Sequence, residues 1–356
     1  MLISLDGVGR FDIRDGNQVV IARSPDVDDS TLRLFLLGYC LGTLLQQRGL
    51  LVLHASIVAS GNSCIALAGG SSLGKSTLAA SLVNRGYELV ADEVCAIDTS
   101  GDGSPMVVPG YPALLLWKNT LDRLELGFEP MGRIRPDIEK YVVPVPTHFC
   151  ESPRELTHLY VLQSSNEEEV SIEPVEGFAR FNVFLNHTYR ELFVQGMGTS
   201  ASRQKNVARV APRVSVSRLS WPQKWDDIDD AIELLEEKPD TLPFPVPRSS
   251  RFFASRSRRM SAWLHLIRLS LRRKCLLVEA RTLMVVTWVA TKLSPHRLLT
   301  PIYGTLNRDI PTPGPSLSPQ QELVHLTIPQ RKSVWDIRWA LRKMQHHLPW
   351  DGTCLP

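Results

Sequence analysis

Cysteine is sparse in this chain, and its placement is as telling as its number. The six residues, Cys40, Cys64, Cys95, Cys150, Cys275 and Cys354, are scattered, and no two form a C-x-x-C. That pattern argues against a zinc or disulfide framework and for reduced thiols in a cytoplasmic protein. Excess charge is also lacking. A net charge of +3 over 356 residues gives no field that would gather a polyanion, so no nucleic-acid partner is expected. Long apolar runs are missing as well. Leu276 to Leu293 is the most apolar stretch, but Glu279 and Arg281 interrupt it. It falls short of the ~18 uninterrupted residues of a membrane span and reads as a packed helix. Met1-Leu2-Ile3-Ser4-Leu5-Asp6 lacks the basic-then-apolar layout of a signal peptide, and no internal repeat is visible. What remains is ordinary globular composition, 43% hydrophobic and 22% charged, at a length that suggests two domains.

The most informative stretch runs from Cys64 to Asp98. Cys64-Ile65-Ala66-Leu67-Ala68 is a short apolar run of buried-strand type, entered through the turn signal Ser60-Gly61-Asn62. Gly69-Gly70-Ser71-Ser72-Leu73-Gly74-Lys75-Ser76 then fits G-x-x-x-x-G-K-[ST] without a mismatch. Glycines let such a loop curl so that successive N–H groups face phosphate oxygens. Lys75 supplies a charge for the β- and γ-phosphates, and the Ser76 hydroxyl is a Mg²⁺ ligand. From Thr77 the chain reads as a helix with Leu78, Leu82 and Val83 on one face and Gly86 as its stop. Its N-terminal dipole points at the same anion. Residues 69–77 are therefore the expected nucleotide cradle.

The flanks add chemistry. Tyr87-Glu88-Leu89-Val90-Ala91 reads as a strand that delivers Asp92-Glu93 at its C-terminal end, where ligands of open α/β sheets collect. Two carboxylates there can hold Mg²⁺ and accept the proton of an attacking hydroxyl. Leu51-Val52-Leu53-His54-Ala55 is another apolar strand with one polar residue. A lone histidine of this kind is either a hydrogen-bonded core residue or a partner of the acids; a neighbouring parallel strand would place His54 near Asp92.

Leu53-His54, the loop, and Arg85-Gly86-Tyr87-Glu88-Leu89-Val90-Ala91-Asp92-Glu93 together resemble the catalytic core of the HPr serine kinase superfamily. The resemblance implies that Asp92 is the proton-accepting aspartate, His54 its supporting histidine, and Lys75 and Ser76 the ligands of ATP·Mg²⁺. It also implies a role for Glu93 beside the metal. Three positions depart from the pattern: Ala55 replaces a glycine, Thr77 stands where a Glu is usual, and Glu93 replaces a second Asp. The C-terminal signature segment of HPr kinases is not found, so HPr itself is not the expected substrate. Pro109-Gly110-Tyr111-Pro112, Leu116-Trp117 and Arg135-Pro136 with Lys140 look closer to the kinase-like proteins encoded beside peptide natural-product genes.

Elsewhere the patterning is structural. Phe11 to Ile21 reads as a hairpin around Asp15-Gly16. Asp28, Asp29 and Ser30 offer caps to a helix whose face carries Leu32, Phe35, Leu36, Tyr39, Cys40 and Leu44. Nothing in this preface has catalytic spacing. Leu114–Trp117 and Leu121–Leu126 are short apolar segments, and the stretch from Gly127 to Cys150 reads as a Pro-rich loop. Its Arg133, Arg135 and Lys140 are either contacts for phosphate or an acidic substrate, or solvated surface charges. Leu156–Leu162 reads as a returning strand, Glu176–His187 and Tyr189–Phe193 as helical pieces, and Arg213–Leu219 as a last strand. Trp225–Glu237 reads as an acidic closing helix.

Residues 239–248 are proline-dense and mark the expected linker between a domain of residues 1–238 and a second region, 249–356. Arg251, Arg256, Arg258, Arg259, Arg268, Arg272, Arg273 and Lys274 follow, with Trp263, Leu264, Ile267, Leu271 and Leu276 at helical spacing. A basic amphipathic helix of this type suits peripheral contact with an anionic membrane, or a partner protein. Leu276-Leu277-Val278-Glu279-Ala280-Arg281, Pro295-His296-Arg297, Trp335–Leu348 and Pro349-Trp350-Asp351-Gly352-Thr353-Cys354-Leu355 resemble the leader-peptidase (B) proteins of lasso-peptide biosynthesis. That resemblance implies a transglutaminase-like Cys-His-Asp site with Cys354 as nucleophile. The family's His and Asp should follow the Cys, so the chain to Pro356 is expected to be an incomplete peptidase, with Cys354 inactive and no leader cleavage of its own.

The two resemblances imply one pathway. The fold class is α/β, an HPr-kinase-like P-loop domain followed by a mostly helical, incomplete transglutaminase-like region. The expected activity is ATP- and Mg²⁺-dependent phosphorylation of a serine hydroxyl of a lasso-peptide precursor, with other maturation proteins as partners. The alternatives are a nucleotide-gated binding module without phosphotransfer, or a subunit of the leader peptidase.

Overall fold

The computed structural model describes residues 1–101, 103–124, 126, 129–167, 169–222, 227–237 and 323–327. The expected linker 239–248, the basic helix, the peptidase-like segments and Cys354 lie outside the described residues. Among those described the architecture is mixed α/β. The chain opens with β1 (Leu2–Leu5), β2 (Gly9–Arg14) and β3 (Gln18–Arg23), then α1 (Asp29–Phe35), one π-helical turn (Leu36–Cys40) and α2 (Leu41–Gln47). The anticipated hairpin turn is present: the Asn17 N–H donates to the Arg14 carbonyl at 3.0 Å across Asp15 and Gly16, both at positive φ, +53° and +65°. Asp28 caps α1, accepting from the Thr31 backbone N–H at 2.8 Å.

β4 (Leu51–Ser60), β5 (Ser63–Ala68), α3 (Lys75–Asn84), β6 (Glu88–Asp98) and β7 (Met106–Val108) follow, then β8 (Ala113–Trp117), α4 (Lys118–Arg123), β9 (Gly132–Arg135) and β10 (Ile138–Pro144). The chain continues through β11 (Arg154–Ser164), β12 (Ser171–Pro174), α5 (Phe178–Asn186), α6 (Glu191–Gly196), α7 (Ser200–Val210), β13 (Ser215–Trp221) and α8 (Asp227–Glu236), with β14 at Leu323–Thr327. The central sheet has seven strands in the order β12-β13-β11-β5-β4-β6-β7. β11 runs parallel to β5 and β13, whereas β4 is antiparallel to both of its neighbours. β8, β10 and β9 form a separate three-stranded sheet, and β1, β2, β3 and β14 a four-stranded one.

Alternation along β5 decides how the layers assemble. Ile65 and Leu67 join the core beneath α3 and α8, whereas Cys64, Ala66 and Ala68 join the core under α5 and α7. The acids of α8 have a counter-charge, since Arg85 at the end of α3 meets Asp229 at 2.7 Å and Glu236 at 3.1 Å.

Three expectations are corrected. Asp92-Glu93 lie inside β6, which continues to Asp98, instead of ending it. The strand carrying His54 is antiparallel to β6, not parallel. Residues 129–150 are not all loop: they hold β9 and β10, which pair with each other while β10 also pairs with β8, satisfying the backbone that prolines leave available. β1, β7, β12 and α7 were not foreseen from the sequence. β14 pairs antiparallel with β3, from Leu323↔Ala22 to Thr327↔Gln18, so a strand from beyond the expected boundary completes the N-terminal sheet.

Packing around α2 is tight enough to test. A Cβ on Gly42 would lie 2.7 Å from the ring of Tyr189, itself only 3% exposed and unable to swing away. Helix propensity alone favours Ala over Gly by about 1 kcal/mol, but overpacking costs roughly 1–3 kcal/mol. Gly42→Ala should therefore lower the melting temperature; a rise would show that the Tyr189 ring yields.

Candidate functional site

The phosphate loop forms where β5 leaves the sheet. Gly69 and Gly74 adopt φ of +151° and +86°, and Ser72 joins them at +66°. A Cβ on Gly74 would meet the Trp221 ring at 2.6 Å, so the tight wall behind the loop admits only glycine there. α3 starts at Lys75 with no side-chain cap, leaving its first-turn N–H groups and positive dipole end directed at the loop. Lys75 is 8% exposed and donates to the carbonyls of Gly69 at 3.1 Å and Gly70 at 2.9 Å. Burial lowers its pKa, while the nearby Glu93 and Asp92 carboxylates pull the other way. Leu73 turns its side chain into the core under α3. Thr77 shares a hydrogen bond with Thr120, 3.2 Å between hydroxyls.

Asp92 gathers three donors: the hydroxyls of Ser56 at 2.6 Å and Ser76 at 3.0 Å, and the Leu115 backbone N–H at 2.9 Å. Adjacent residues of a regular strand face opposite sides. Glu93 departs from that rule through a left-handed backbone, φ +68°, so both carboxylates reach the phosphate-loop region. A non-glycine residue held there costs of order 1–3 kcal/mol, the kind of outlier that clusters at functional sites. His54 pairs with Glu93 rather than Asp92, Nε2 to Oε1 at 3.4 Å, because the antiparallel register sets Ser56, not His54, opposite Asp92. Lys140 Nζ stands 4.0 Å from the other Glu93 oxygen. Burial would raise the Glu93 carboxyl, but hydrogen bonding and charge from His54, aided by Lys140 and Lys75, outweigh it and hold the pKa at about 2.

His54, Lys75, Ser76, Glu93 and Lys140 border a cavity of about 950 Å³. Its wall includes His54, the loop residues Ser71, Ser72 and Gly74, and Lys75 to Thr77, with Glu93 and Lys140 opposite. Trp117, 45% exposed, stands on the same wall. Arg133 and Arg135 do not line it: Arg135 pairs with Asp137 at 3.0 Å, and Arg133 turns to Glu139 and Tyr141. Among the described residues no three His, Cys, Asp or Glu side chains form a metal cage. A hydroxyl beside a carboxylate suits Mg²⁺, which takes one or two carboxylates and completes its shell with water and phosphate. The Ser76 hydroxyl and Asp92, 3.0 Å apart, would hold it, with Glu93 alongside.

Sequence reasoning missed His187 and Ser56. Past Ala55, β5 no longer covers β4, and residues 187–189 take its place: the His54 N–H donates to the His187 carbonyl at 2.9 Å and the Tyr189 N–H to that of Val52 at 2.8 Å. Burial, then the charges of Lys75 and His54, depress the His187 imidazole to about 4. Ser56 was legible in principle, since it stands two residues from His54 and therefore faces the same side of a strand.

No family model matches this chain, and no curated protein matches it either. Among solved structures it is similar to the Hpr(Ser) kinase/phosphatase from Coxiella burnetii, at 10% identity and a TM-score of 0.29, over 64% of this chain and 99% of that one. A superposition this loose does not by itself place the two chains in one fold.

The His187 site predicts acid sensitivity. The unfolded chain takes up a proton near 6.5 and the folded chain only near 4, so stability is full above 6.5 and falls as pH drops towards 4. The contribution at stake is on the order of 3 kcal/mol. His187→Gln should flatten the decline in urea midpoint between pH 6.5 and 4; identical acid limbs for the two proteins would refute it.

Proposed function

We propose that the chain is an ATP-dependent kinase that phosphorylates a serine hydroxyl of a peptide, with a lasso-peptide precursor as the natural substrate and other maturation proteins as partners. The observation that carries the reading is the Ser76–Asp92 hydrogen bond, which ties the phosphate loop to an acid on the neighbouring strand. Lys75 and the α3 N-terminus would bind the phosphates, Ser76 and Asp92 would hold Mg²⁺, and Glu93 would flank it. The acceptor oxygen then bonds to the γ-phosphorus, the bond from phosphorus to the ADP oxygen breaks, and the hydroxyl proton passes to Asp92. Paired to His54 and Lys140, Glu93 keeps a negative charge that opposes loss of charge from Lys75.

Two variants separate binding from transfer. Lys75→Ala should weaken nucleotide affinity tenfold or more, about 1.4 kcal/mol, and remove transfer. Asp92→Asn should slow transfer by roughly 10²–10⁴-fold, far more than it weakens nucleotide binding, since an amide cannot take the proton. Mass spectrometry of a candidate precursor peptide after incubation with Mg·ATP reads the product, and isothermal calorimetry reads the affinity. Wild-type transfer by Asp92→Asn would sink the mechanism. ATP consumption without phosphopeptide would favour the nucleotide-gated module.

A further inference from the structure

A second cavity, of about 310 Å³, adjoins the first. The two share Glu93, Leu115, Ile138 and Lys140, and Asp92, which is absent from the first cavity's wall, lines the second. The rest of that wall is mainly apolar or aromatic, including Tyr39, Tyr111, Ile134 and Tyr189. Charge is confined to a few places. Arg33 is buried, Lys140 is engaged by Glu93 and Arg135 by Asp137. Arg190 differs. Its guanidinium lies 4.2 Å from the centroid of the Tyr39 ring and 5.7 Å from that of Tyr189, and among the described residues no carboxylate pairs with it. Its backbone is left-handed, φ 48° and ψ 62°, a conformation that residues with a side chain seldom adopt. Two aromatic rings and an unusual backbone thus hold a cation at a cavity whose inner end carries two carboxylates.

We propose that this second cavity is the acceptor site, and that it selects a peptide hydroxyl flanked by a bulky apolar side chain and by a carboxylate. The proposal rests on the kinase reading above. Charge complementarity supports it: Asp92 and Glu93 repel an anion from the inner end and tolerate a neutral hydroxyl, while Arg190 attracts the neighbouring acid. The apolar wall between them accommodates one side chain and gains from its desolvation. Asp92 lines the second cavity and bonds to Ser76 of the phosphate loop, so an acceptor held there would meet the nucleotide at the residues that the two cavities share.

The test uses the full chain with Mg·ATP and synthetic heptapeptides centred on one serine, in which Phe, Ala, Glu and Lys are permuted at the flanking positions. Peptides carrying both Phe and Glu should be phosphorylated with at least tenfold higher kcat/KM than those carrying Ala and Lys. Arg190→Gln should reduce the Glu-over-Lys ratio to about one while leaving the Phe-over-Ala ratio in place, and Tyr111→Ala should do the reverse. Transfer without sequence preference, or preferences unmoved by both variants, overturns the acceptor site and leaves the kinase intact. No phosphopeptide from any sequence, with nucleotide still bound, overturns the kinase reading and this one with it.

Discussion

The carboxylate of Asp92 is the point on which the rest of the site depends. It joins three separately built pieces: β4 through Ser56, the head of α3 through Ser76, and the three-stranded sheet through the Leu115 N–H. Hydrogen bonds to a charged group contribute roughly 1.5–3 kcal/mol each, and away from bulk water they are poorly replaced. The phosphate loop is therefore fixed to the sheet from below by backbone geometry and from the side by this acid. The lateral sheet of β8, β9 and β10, which brings Lys140 and Trp117 to the cavity, is registered by the same group.

Glu93 adds a second constraint, of opposite character. Where Asp92 relaxes into three donors, Glu93 occupies a strained backbone and gathers cations. Alternation along β6 would hide one of two consecutive acids; the left-handed residue keeps both on the functional side. The contacts with His54 and Lys140 offset part of that strain. They also account for a polar residue in an apolar strand, since His54 meets a carboxylate.

How much of this was legible follows from how local each signal is. The β5–loop–α3 unit was readable residue by residue, because glycine placement, the lysine and the serine act within eight positions. Which strand carries the acids was also clear. The direction of β4 was not: an apolar run such as Leu51–Ala55 reads the same parallel or antiparallel, and the error moved His54 from Glu93 to Asp92. β9 and β10 were hidden because a short segment like Gly132–Arg135 has too few apolar residues to show a period. α7 escaped for a similar reason, since of its eleven residues only Asn206, Val207 and Val210 are buried. His187 carries no local mark at all; its place depends on residues 187–189 covering a strand more than 130 positions earlier.

The pairing of β14 with β3 has a bearing on synthesis. β14 covers the β3 edge of a sheet whose other three strands are complete by Arg23, but this covering strand begins only at Leu323. At about 5–20 residues per second, roughly 15–60 s separate the two on the ribosome. Throughout that interval the N-terminal sheet presents an open row of backbone donors and acceptors, the kind of edge that recruits strands from other chains. The nascent protein thus carries the β3 edge uncovered for a long interval, which ends when β14 pairs with it.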